Sequence, residues 1–277
     1  MTQSTILIEQ FGKVRRLTLN RPEVRNAQSR TLLTELDTAF TEAAADDDVS
    51  VIILAGAGKD FSAGHDLGSP QALEEKRLDP PKPGIPAEYE RLLHWNVELC
   101  LRWRNLPKPT IAQVQGNCIM GGLMIASSCD LIMASDDAVF ADRTVAWGGA
   151  HVQYFTLPWE VGARKAKEFL FTAGPIRADE ACRLGLVNRV VPREALADET
   201  LALAQTIAKQ DPFALRLAKL SVNEALDRQG QTEAINGAFK NYMMTLPHRK
   251  DSGTFGGGDM TARQRLAKYN KTSASEE

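Results

Sequence analysis

The chain opens with two short runs rich in apolar and β-branched residues, Ile6-Leu7-Ile8 and Val14 to Leu19, separated by Gly12 and closed by Asn20-Arg21-Pro22. This pattern predicts a hairpin. From Ser29 to about Ala45 the apolar positions Leu32, Leu33, Leu36, Ala39 and Phe40 recur at helical spacing, and Ser29 stands where an N-cap belongs. Val51 to Leu54, Thr110 to Val114 and Leu131 to Met133 are compact strand-like runs, the first two followed by glycines. Between them, Gly68 to Ala87 is rich in proline and charge and reads as a loop or lid. After Pro192 the pattern changes to helical periodicity alone, over Glu194–Lys209, Pro212–Asp227 and Gln231–Met244. Strands alternating with helices predict an α/β core, here 1–192, followed by a helical region, 193–277, with a frayed polar end from Lys271.

Composition narrows the function. The 277 residues (30.4 kDa) carry 33 basic and 35 acidic side chains, a net charge of -2 that offers no basic field for nucleic acid. No apolar run is long enough for a membrane span, and the amino terminus lacks a basic region followed by an apolar one, so a cytoplasmic protein is expected. Cys100, Cys118, Cys129 and Cys182 are widely spaced, without a C-x-x-C pair. His65, His94, His151 and His248 fall in no zinc-ligand pattern, so no metal is expected. Gly56-Ala-Gly58-Lys59 is too short for a phosphate loop, and no G-x-S-x-G elbow is present.

Two glycine-containing stretches follow strands: Phe61 to Leu67, around Gly64, and Gln115 to Gly122. Each could be no more than a tight turn. Together they permit backbone amides from a turn and from a helix start to converge on one oxygen and stabilise developing negative charge. Gly121-Gly122 opens the apolar run Leu123 to Ala126, whose first-turn amides have no intrahelical partners.

The order of Leu19-Asn20-Arg21-Pro22, Asn26-Ala27, Ala63-Gly64-x-Asp66, Lys108-Pro109, Gly121-Gly122, Cys129-Asp130 and Gly185-Leu186-Val187-Asn188 resembles the enoyl-CoA hydratase/isomerase (crotonase) superfamily over most of the chain. The resemblance implies an α/β spiral of ββα units and a carboxyl-terminal helical region that mediates trimers, often stacked as hexamers. It implies acyl-coenzyme A thioesters as ligands, with coenzyme A arriving as part of the substrate and no separate cofactor. Carried over by position, the oxyanion-hole amides are those of His65 and Gly121, and Ala63, Gly64, Asp66, Gly122, Met124 and Thr144 line the substrate site. The His65 side chain either contacts coenzyme A or caps its loop, the cap being the preferred reading, and Lys59, Arg25 and Lys268 are basic groups placed for coenzyme A.

The sequence departs from the family where hydratases carry two glutamates. Three residues past the hole glycine stands Met124, and four past the strand residue Phe140 stands Thr144. Neither can act as a carboxylate base, although such groups contribute about 10²–10⁴ each in rate. The stretch Gly148 to Phe155 is also about two residues shorter than in relatives, which brings His151, Gln153 and Tyr154 into the region. His151 and Asp142 are therefore the replacement acid–base candidates, while Met120, Trp147, Phe155 and Trp159 are candidates to line an acyl tunnel. The expected function is an enzyme of enoyl-CoA hydratase or isomerase type without the usual mechanism. The alternative is a non-catalytic acyl-CoA-binding protein.

Overall fold

The computed structural model describes residues 4–251, so Lys268 and the polar end from Lys271 lie outside the described residues. Strands β1 (Ile6–Phe11) and β2 (Val14–Leu19) form the expected hairpin across Gly12, whose φ of 61° suits the residue type. Ser29 caps α1 (Arg30–Ala45), accepting from the Leu32 amide, and the helix buries Leu32, Leu33, Leu36, Ala39 and Phe40. β3 (Val51–Gly56) and β4 (Thr110–Val114) are buried along their whole length, as continuous apolar strands in a covered parallel sheet should be.

The segment Gly68 to Ala87 departs from the expected loop. It holds α2 (Pro70–Leu78) and the start of α3 (Ile85–Leu93). Proline here starts helices rather than breaking them. Pro70 and Pro86 sit in the first turn, where the missing amide would have no partner, and Ser69 caps α2 through the Ala72 amide. Only Asp79 to Gly84 remains irregular. A wide turn, His94–Glu98, joins α3 to α4 (Leu99–Arg104).

From β3 onward the chain spirals through two sheets. Past β3, Ser62 bridges to Cys118 of β5 (Asn117–Ile119). β4 leads to β5 and then to α5 (Gly121–Ser127), and β6 (Leu131–Ser135) leads to β7 (Val139–Ala141). The helices α6 (Leu157–Val161) and α7 (Ala163–Thr172), then β8 (Ile176–Arg177), α8 (Ala178–Leu184) and β9 (Arg189–Val191), complete the core. The six-stranded sheet runs β1-β2-β3-β4-β6-β9, parallel after the hairpin, and the small sheet runs β5-β7-β8. Helices α9 (Leu196–Ile207), α10 (Pro212–Arg228) and α11 (Gln231–Asp251) follow. α9 buries Leu196 and Ala204 against Val14, Val51, Ile53, Ile111 and Met133, so it covers the large sheet on the face away from the main core. The fold therefore places the amino end of α5 beside the turn that follows β3.

Candidate functional site

Two polar clamps hold that turn. Asn26, fully buried with φ 53°, accepts from the Arg21 amide and donates to the carbonyls of Ala57, Asp60 and Phe61 at 2.9, 2.9 and 3.1 Å. Asp60 accepts from the backbone and side-chain amides of Asn117 at 2.9 and 2.6 Å, tying the turn to β5. With the ends fixed, the amides between can be followed one by one. Phe61 donates to Gln115 O, Ser62 to Asn117 O, Ala63 to Arg25 O, Gly64 to Ser62 Oγ and Asp66 to Gln28 O. The His65 amide alone in this run finds no acceptor among the described residues.

The facing segment repeats the pattern. Ile119 and Met120 donate to Ser62 O and Ala141 O, and Met124 to Met120 O, whereas the first-turn amides of α5, Gly121 with Gly122 and Leu123, find no acceptor among the described residues, and Gly121 is the one facing Gly64. The two turns touch. A Cβ built on Gly64, whose φ is 89°, would stand 2.6 Å from Ile119 O and 3.0 Å from Gly121 N. Met120, with φ 52° and ψ -109°, holds a conformation that glycine adopts freely and other residues rarely do. Such strain costs about 1–3 kcal/mol and gathers at functional sites. Here it orients the peptide that presents the Gly121 amide.

The side chains around this pair divide into clamps and open groups. Asp66 is engaged within the protein. Its carboxylate accepts from Arg21 Nη1 at 2.8 Å, from the Ser69 amide at 2.8 Å and from Ser69 Oγ at 2.5 Å, with both partners of the ion pair almost wholly buried. Burial opposes ionisation of Asp66, but the Ser69 and Arg21 hydrogen bonds outweigh it and hold the carboxyl below its usual range. Asp66→Ala is expected to destabilise the fold by about 3–5 kcal/mol, because it leaves a buried guanidinium without its counter-ion. Urea unfolding would measure it. A shift in midpoint corresponding to under about 1 kcal/mol would show that the pair does not anchor the loop. With a depressed folded-state pKa, this stabilisation is present above the unfolded carboxyl value and lost as pH falls through the folded one.

Asp142 and Thr144 form the second clamp. Asp142, buried at 1% exposure, accepts from the Thr144 amide and hydroxyl at 2.9 and 2.5 Å and from the Val152 amide at 2.8 Å. Both carboxylate oxygens are thus spent on closing the 142–152 loop, and burial still pushes the carboxyl up despite those bonds. His151 gives its Nδ1 proton to Val152 O at 2.7 Å and stacks on Phe155, with ring centroids 4.4 Å apart. Burial lowers its pKa against the opposing pull of the Val152 carbonyl and Asp142, which leaves a neutral ring with a lone pair on Nε2. No hydrogen bond among the described residues joins His151 to the His65 or Gly121 turn.

Met124 lies within the core cluster at 2% exposure, and Gly122 is pressed on Ser62, where a Cβ would stand 2.6 Å from the carbonyl oxygen. Arg25 and Lys59 are exposed beside the 57–61 turn. The His65 side chain does not cap its own loop. It reaches across to Gln153, with Nε2 3.3 Å from Oε1. Gln28 had no sequence signal, yet its Oε1 would stand 2.4 Å from a Cβ on Gly121. Glu160 is pushed up to about 7 by burial, against a Thr156 hydrogen bond. Its backbone carbonyl faces the end of α8, where a Cβ on Gly185 would stand 4.0 Å from the oxygen, and no hydrogen bond among the described residues joins Glu160 to the His65 or Gly121 turn. Among the described residues no cluster of His, Cys, Asp and Glu could hold a metal ion, and no helix is long and apolar enough to cross a membrane.

The family model described as enoyl-CoA hydratase/isomerase matches residues 9–254. The Mycobacterium tuberculosis protein named "Putative enoyl-CoA hydratase EchA13" is 44% identical over 249 residues, 86% of this chain and 78% of that protein. A short-chain-enoyl-CoA hydratase from Clostridium acetobutylicum is 35% identical over 232 residues, 82% of this chain and 84% of the other. Among solved structures, a probable enoyl-CoA hydratase from Mycobacterium smegmatis superposes with a TM-score of 0.84 at 44% identity, covering 91% of this chain and 98% of that one.

Proposed function

Since the chain belongs to the enoyl-CoA hydratase/isomerase family, we propose that it binds acyl-CoA thioesters with the carbonyl oxygen between the amides of His65 and Gly121 and transfers a proton at the acyl α-carbon. The observation that supports the reading most is the hydrogen-bond pattern of the turn: His65 is the one residue from Phe61 to Asp66 whose amide is left open, and it lies beside the open Gly121 amide. Two donors aimed at one oxygen stabilise the enolate that forms when the α-proton leaves. Proton transfer fits better than water addition, because Met124 and Thr144 offer no carboxylate to activate water. Nothing in the comparisons favours a non-catalytic acyl-CoA-binding protein over an enzyme.

Gly121→Pro tests the hole. Proline fits the first position of a helix but carries no amide proton, and the Cβ clash is with the movable Gln28 side chain. A conjugated enoyl-CoA is expected to shift its absorbance to the red when bound by the native protein, and to lose that shift in the variant. A folded variant that retains the full shift would place the hole elsewhere.

We also infer a homotrimer or homohexamer. α10 is a helix of 17 residues without a buried side chain, and Phe213, Leu217 and Leu220 are exposed along one stripe at helical spacing. Light scattering should return a multiple of 30.4 kDa, and Leu217→Glu with Leu220→Glu should reduce it. A native monomer at micromolar concentration would overturn the inference.

A further inference from the structure

The turn that leaves the His65 amide open also brings its imidazole to the same place. The Cε1 of the ring stands 3.1 Å from where a Cβ on Gly121 would be, so it lies over the amino end of α5. Its Nε2 meets Gln153 Oε1 at 3.3 Å. On α11, Arg249 Nη1 donates to the phenol oxygen of Tyr242 at 3.4 Å.

The Gln153 contact decides where the imidazole proton sits. Gln153 presents its carbonyl oxygen to His65. An amide oxygen only accepts, so His65 Nε2 carries the proton and the neutral ring keeps its lone pair on Nδ1. Nδ1 has no hydrogen-bond partner among the described residues. Burial, with the Arg91 guanidinium near, lowers the pKa of the ring against the opposing Gln153 bond and keeps it neutral.

We propose that His65 is the catalytic base of this protein, acting through Nδ1, and that Gln153 is the positioning residue that sets its tautomer. The proposal rests on the reading that the His65 and Gly121 amides hold the thioester oxygen. One residue can serve both ends of the enolate, because the α-carbon is bonded directly to the carbonyl carbon. Nδ1 takes the α-proton, and the C–H electron pair forms the enolate double bond and moves charge to the oxygen held by the amides. The imidazolium then returns the proton to the α-carbon, or to the γ-carbon of a β,γ-unsaturated acyl chain. The ring ends neutral, and no water, oxidant or other reactant is consumed.

Two measurements test this. In ¹⁵N NMR of histidine-labelled full-length protein, His65 should show an unprotonated Nδ1, and Gln153→Leu should convert it to a mixture of tautomers. In D₂O, the native protein should exchange the α-protons of butyryl-CoA. His65→Gln keeps the backbone amide, and should lower exchange by about 10²–10⁴-fold with the dissociation constant changed only a few-fold. Gln153→Leu should lower kcat with little change in KM. A protonated Nδ1 in the native protein, or unchanged exchange in folded His65→Gln, overturns the proposal while leaving the hole intact. Absence of enoyl-CoA binding and of its red shift in the native protein overturns the underlying reading, and this proposal with it.

Discussion

Gly64→Ala is expected to lower α-proton exchange by about 10³-fold or more, while Gly121→Ala lowers it much less, because what each new methyl would strike differs in kind. On Gly64 the added Cβ would stand 2.6 Å from Ile119 O and 3.0 Å from Gly121 N, both backbone atoms of the facing segment. Neither can move without pulling β5 away from Ser62, so the two turns must separate and both donors lose their aim. The φ of 89° adds strain whatever space is found. On Gly121 the nearest atom, at 2.4 Å, is Gln28 Oε1, the far end of a flexible side chain, and the other residue met is His65, whose ring Cε1 at 3.1 Å need give by only a few tenths of an ångström. The one hydrogen bond of the Gln28 side chain to Ser62 Oγ, at 3.5 Å, is long. Losing one oxyanion donor typically costs about 10²–10³ in rate, and losing the geometry of both costs more. Exchange of butyryl-CoA followed by NMR for the two variants, each checked for folding by circular dichroism, measures the contrast. Equal losses at both positions would mean that the turns do not meet as described.

Much of this site is legible in the residues because it is local. Gly64 and Ser29 sit where a positive φ and a cap favour their type, Gly121 opens a helix, and a run of apolar residues bounded by glycine marks β3 and β4. Pattern failed at Gly68 to Ala87, where proline density suggested a loop; the helices there depend on where each proline falls relative to a cap, which Ser69-Pro70 shows in hindsight. The side-chain roles were harder still. His65 and Gln153 meet across 88 residues, so no spacing in the chain reveals the contact. Asp142 read as a candidate acid because it stands near the absent second glutamate. Its capacity is instead taken by Thr144 and Val152, a fact set by how the 142–152 loop closes.

That closure also governs the hydratase question. The native protein is expected to hydrate crotonyl-CoA at least about 10³-fold more slowly than the ~10 s⁻¹ of a typical enzyme, because neither Met124 nor Thr144 offers a carboxylate to deprotonate water. Restoring the glutamates should not repair this. Thr144→Glu would add a carboxylate beside Asp142, which burial already pushes up, and would remove the hydroxyl that donates to Asp142 Oδ1. Two carboxylates sharing one buried place cannot both ionise, so one stays protonated and cannot act as a base. Space is short as well, since a Cβ on Gly149 would already stand 2.4 Å from the Thr144 methyl. Met124→Glu would place an acid in the core cluster, where desolvation raises its pKa. Adding Asp142→Asn would relieve the charge but turn an amide donor towards either the Thr144 or the Val152 amide, loosening the loop by about 1–3 kcal/mol. The double variant Met124→Glu, Thr144→Glu should therefore gain less than about tenfold in hydration, followed by loss of the enoyl thioester absorbance, with acyl-CoA binding retained. Native turnover near ~10 s⁻¹ would show that another group activates water. A gain of about 10³ in the double variant would show that Asp142 is not the obstacle.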